Sequence, residues 1–141
     1  FENSNGTAGS ISMFSSSVGY NTSSDYRLKE NINYSWDATS KLKQLKPCEF
    51  EFKADTDNVV HQGFLAHEVD SIVPTSVSGE KDGMTDVILY VAEDNIPEGK
   101  KVGDVKKAAE PDMQQLDHSK LVPLLVKTIQ ELEARITTVE G

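Results

Sequence analysis

Ser24 and Lys29 set a hydroxyl and an amine five residues apart in the polar run Ser24-Asp25-Tyr26-Arg27-Leu28-Lys29-Glu30-Asn31-Ile32. A serine hydroxyl paired with a proton acceptor is the minimum equipment for attack on a carbonyl carbon. By itself the spacing is equally that of a polar turn. His61, His67 and His118 invite a metal or Ser-His-Asp reading, but no HExxH or paired-thiolate pattern accompanies them. Glu68 adjoins His67, and adjacent residues on a helix do not face each other. These histidines read as ordinary structural or surface residues, with no metal site. Cys48, the single cysteine, lies in the alternation Cys48, Phe50, Phe52 and reads as buried filler rather than a nucleophile.

Elements must hold those residues in place. Residues 1 to about 23 are rich in Ser, Asn and Gly, with thin alternation at Ile11, Met13, Val18 and Tyr20. They read as the last piece of a β-rich stalk, the alternative being a disordered leader. Asp37 caps a short helix carrying Leu42 and Leu45 that ends before Pro47. Cys48 to Lys53 has period two and reads as a strand, paired in a hairpin with the apolar run Val59 to Ala66. A short helix with Leu65, Val69 and Ile72 on one side follows before Pro74. Gly79 to Asp112 holds one strong strand, Val87 to Val91, among glycines, prolines and charges, and reads as a projecting hairpin or long loop.

The clearest periodicity comes last. Val122, Leu125, Ile129, Leu132, Ile136 and Val139 recur in steps of three and four, a heptad rhythm with β-branched residues at a and mainly leucine at d. A single amphipathic helix packed in its own domain could show the same steps. Arg135 at g and Glu140 at the following e would set opposite charges together in a parallel neighbour, which favours an oligomer. Fewer than three heptads are short for an isolated coiled coil, so the preceding domain must help it assemble.

The chain has 141 residues, enough for one ordinary domain with short appended segments. Its 14 Lys and Arg against 23 Asp and Glu give a net charge of -9, which repels nucleic acid and anionic lipid. No apolar run is long enough to span a membrane. Neither nucleic acid nor a membrane is an expected partner, and no cofactor motif is present.

The run from Ser24 to Ile32 resembles the S-D-x-R-L-K-x-N-I signature that opens the intramolecular-chaperone autoproteases at the C-termini of phage endosialidases, tail spikes and neck appendages, a domain type also found in the myelin regulatory factor. Further likeness follows in order through Leu42 to Pro47, Phe50 and Phe52. It continues through Gly63-Phe64-Leu65-Ala66-His67-Glu68-Val69, similar to G-F/I-x-A-Q-E-V/L, then Pro74, Val77, and Leu116-Asp117 into Leu121 and the last helix. His67 stands where the family has glutamine, and His118 where it often has tyrosine.

The resemblance implies an α+β fold: a small strand-and-helix domain with a projecting hairpin arm and a C-terminal helix in a parallel three-stranded coiled coil. It implies residues 1–23 as the end of a spike or stalk, 24–115 as the chaperone module with its arm at about 79–112, and 116–141 as the coiled-coil helix. It also implies a homotrimer that guides folding of the preceding spike in the host cytoplasm, then cuts the Ser23–Ser24 bond and is released. Ser24 would be the nucleophile and Lys29 the general base, with Asp25, Arg27 and Asn31 in support. The alternatives are a permanent trimerisation cap or a receptor-binding tip around Val87.

Two physical conditions attach to that chemistry. A free lysine, with a pKa near 10.4, is neutral only about once in 2,500 at pH 7, so a lysine base needs burial or a nearby cation such as Arg27. Five residues of extended chain span roughly 16 Å. The two groups therefore meet only if the chain turns sharply through Asp25 to Leu28, or if another subunit completes the pair.

Overall fold

The computed structural model describes residues 2–3, 6–7 and 9–140, with side chains over 9–139. They fall into two compact units, Phe1–Trp36 and Asp37–Gly141. In the first unit β1 (Glu2–Asn3) pairs antiparallel with β2 (Gly6–Thr7), and β3 (Gly9–Met13) with β4 (Val18–Thr22). Phe14 N donates to Ser17 O at 2.8 Å and closes the second turn. Register puts Ile11 opposite Tyr20 and Met13 opposite Val18. Strand alternation then gathers these four on one face and Ser10, Ser12, Gly19 and Asn21 on the other. Asn21 Nδ2 donates to Ser12 Oγ at 3.2 Å across the polar face. All four apolar side chains remain exposed.

The second unit begins with α1 (Ala38–Leu42), where the Asp37 side chain accepts from Ser40 N at 3.0 Å. Leu45 lies beyond the helix, in a tightened turn where its N–H reaches Leu42 O at 3.1 Å. Next, β5 (Cys48–Phe50) pairs antiparallel with β6 (His61–Gly63). Both strands are shorter than the alternation predicts. Asp55 N returns to Phe52 O at 2.9 Å, and the Asp55 carboxylate accepts from Asp57 N and Val59 N. That turn takes Phe52 out of the pairing and leaves it 59% exposed. Cys48 is half-buried, its Sγ lying 3.6 Å from Gly63 O.

Then come α2 (Ala66–Asp70), a 3-10 turn at Pro74–Ser76, and β7 (Val77–Ser78). Within the next stretch β8 (Ile88–Leu89) pairs antiparallel with β9 (Val105–Lys107), and Met84 bridges to Pro111. Of the expected Val87–Val91 strand only Ile88–Leu89 is regular, with a register shift between the two, and Tyr90 continues the pairing through its bonds to Asp104 O and Gly103 N. Finally β10 (Gln115–Leu116) pairs back to β7, and a 3-10 turn at His118–Leu121 leads into the 19-residue α3 (Val122–Glu140).

A five-residue helix such as α1 cannot persist alone. It is held by α3, whose Glu131 carboxylate accepts from Ala38 N at 3.0 Å, Thr39 N at 2.8 Å and Thr39 Oγ1 at 2.6 Å. Leu121, Leu124 and Thr128, on the same side as Glu131, are buried; Ala38 and Val69 complete the apolar core. The heptad row is a different face. Val122, Leu125, Ile129, Leu132, Ile136 and Val139 are between 42% and 86% exposed. Arg135 is exposed as well, while the side chain of Glu140, its expected counterpart, lies outside the described residues.

Leu124→Ala is expected to cost about 2–5 kcal/mol, measured by chemical denaturation, because the space it leaves is enclosed. The Glu131 carboxyl is held below its ordinary range, first by the Thr39 hydroxyl and then by the Ala38 and Thr39 amides. Its contribution is therefore complete above about pH 4.3 and disappears as pH falls through the lowered value. The thermal midpoint should drop with acid across that window, and Glu131→Gln should blunt the drop; an equal drop in both proteins would remove this account.

Candidate active site

The signature segment lies in the first unit and turns as the sharper of the two routes requires. Asp25 caps a 3-10 turn over Tyr26–Leu28, with Leu28 N donating to Asp25 O and Lys29 N to Tyr26 O, each at 3.1 Å. Asp25 Oδ1 accepts from Arg27 N at 2.9 Å and from Arg27 Nε at 3.0 Å, while Oδ2 accepts from Nη2 at 2.8 Å. One carboxylate thus clasps both the backbone and the guanidinium of the residue two positions on. Such bidentate, charge-assisted geometry fixes direction as well as distance.

The clasp brings the two ends of the segment together. Lys29 Nζ donates to Ser24 Oγ at 2.7 Å. The separation expected for an extended chain is removed within one chain, without a second subunit. Asn31, two residues later, takes φ 54°, a left-handed conformation that asparagine tolerates better than β-branched or bulky residues. Arg27 does not stand as a bare cation to repel charge from Lys29, because Asp25 engages its guanidinium. Ser24 and Lys29 are both exposed, so neither is shielded from water by this unit.

The histidines lie elsewhere. His61 stacks on Phe50 at 5.8 Å between ring centroids and meets Phe52 edge-on at 5.2 Å. His118 lies 6.2 Å from Phe64. His67 lines a shallow polar groove with Lys46 and Glu68, which are paired at 3.0 Å. Among the described residues no three His, Cys, Asp or Glu side chains are grouped to hold a metal ion.

Residues 24–78 match the family model described as the chaperone of endosialidase, Peptidase_S74. This segment carries that family's sequence pattern. The match begins at Ser24 itself and stops at Ser78, ahead of the Gly79–Asp112 stretch and α3. The likeness traced through Leu116, Asp117 and Leu121 lies outside it. No curated protein matches the chain. The family supports a chaperone role for a phage tail protein, and its name places it among the peptidases.

Sequence reasoning missed the face of α3 that is used inside the chain. Its signal was present as a second row, Leu121, Leu124, Thr128 and Glu131, in steps of three, four and three. It also missed the Asp25–Arg27 clasp. That pair lowers the Asp25 carboxyl below its ordinary range, chiefly through the Arg27 side chain and then the Arg27 amide. The clasp should therefore hold above about pH 3.9 and open as pH falls through the lowered value. An NMR titration of the Arg27 amide should show this transition, and Asp25→Asn should abolish it; an unaltered titration in the variant would exclude the carboxylate.

Proposed function

We propose that this chain is an intramolecular chaperone that forms a homotrimer, assists the folding of the phage tail-spike or appendage segment preceding Ser24, and then cuts itself free. The observation that carries the reading is the 2.7 Å contact between Lys29 Nζ and Ser24 Oγ at the start of the family match. In the reactive state the proton order is reversed: a neutral Lys29 amine accepts from the Ser24 hydroxyl. Ser24 Oγ then forms a bond to the Ser23 carbonyl carbon, the Ser23–Ser24 C–N bond breaks, and the Ser24 nitrogen takes up the proton. Water adds to the resulting ester, leaving a Ser23 carboxylate and restoring the Ser24 hydroxyl. Because nucleophile and scissile bond are neighbours in one chain, proximity supplies much of the rate.

Exposure of the pair supplies the timing. A lysine in water is poorly suited to be a base, so the covering surface must arrive with assembly. The a/d row of α3 supports that assembly, since the helix packs within its own chain through another face. A trimer would also set three preceding segments in register before slow, non-local β pairing begins. The Gly79–Asp112 stretch is read as an arm on this trimer. The setting is virion assembly in the host, with release from the finished spike.

Intact mass after folding should show a C-terminal fragment beginning at Ser24. Ser24→Ala should abolish it, and Lys29→Ala should slow its appearance by about 10²–10⁴-fold. An uncut wild-type trimer would leave the permanent cap as the better reading.

A further inference from the structure

An apolar groove of about 500 Å³ opens on the second unit, with Leu42, Leu45, Pro47, Phe64, Leu121 and Leu125 among its walls. Two of these belong to the α3 register. With Val122 at a and Leu125 at d, Leu121 is the preceding g residue and Val126 the following e residue. The groove therefore lies along the g side of the helix, where the neighbour's e side arrives in a parallel assembly. In that geometry the e residue of the adjacent chain arrives five positions after the g position, which aims Val126 of a second copy at the groove whose floor includes the buried Leu121. Position e is ordinarily charged, as Glu133 is here one heptad on. Val126 is instead apolar and 50% exposed, on the flank of α3 opposite the g side.

We propose that the groove receives Val126 of a neighbouring copy, so that each chain inserts one e-position side chain into the next. The inference rests on the trimer reading and deepens it. Apolar g and e residues at the start of α3, followed by Arg135 at g and Glu140 at e near its end, would make the seam broad and dry beside the globular unit and narrow with a charged rim beyond it. That arrangement answers how fewer than three heptads can associate: the folded unit contributes a socket as well as a helix.

The test uses the full chain carrying Cys48→Ser. Chains with Leu45→Cys are mixed with tagged chains carrying Val126→Cys, assembled together and mildly oxidised. A second mixture pairs Arg135→Cys with Glu140→Cys to read the seam alone. A mixed disulfide between positions 45 and 126, together with a rise of at least about tenfold in the trimer dissociation concentration for Val126→Asp, is expected. Cross-linking at 135 and 140 without any at 45 and 126 would overturn the socket and leave the seam standing. Sedimentation as a monomer at every concentration would remove both.

Discussion

Packing of α1 against one face of α3 is the constraint on which the larger unit depends. The Glu131 carboxylate receives three donors from the start of α1, and Leu121, Leu124 and Thr128 close the contact beside it. A helix can bury only part of its circumference in a small unit. Once these residues have taken the inward face, the heptad row is left on the outside of this unit. The same interaction that makes α1 possible therefore turns the heptad row away from this unit's core.

Local clasping governs the smaller unit in a comparable way. Asp25 gathers Arg27, the short turn follows, and Ser24 and Lys29 meet as its consequence. Both side chains remain open to water in this unit. The separation of the two groups is thus set by the local turn, while their surroundings remain solvent.

The parts of this protein that were legible in the sequence are those with strong local rules. Asp37 at its cap, the alternation around β5 and the long helix α3 could each be read from type and spacing. Strand lengths could not, because the Asp55 turn competes with continued pairing for the same backbone groups and removes Phe52 from the sheet. The Glu131 cap joins residues more than ninety positions apart, and no periodic signal reports a contact of that separation. At Ser24 and Lys29 composition left turn and extended chain both open. The deciding partner, Asp25, was visible, but its hold on Arg27 was not.

The β3–β4 ribbon carries a further consequence. Its apolar face, with Ile11, Met13, Val18 and Tyr20 exposed, is attached to a chain whose net charge is -9. Isolated copies therefore face competing forces, long-range repulsion and short-range stickiness. Salt screens the first much more than the second. Ionic strength then acts as a selector between orderly encounter and indiscriminate clumping.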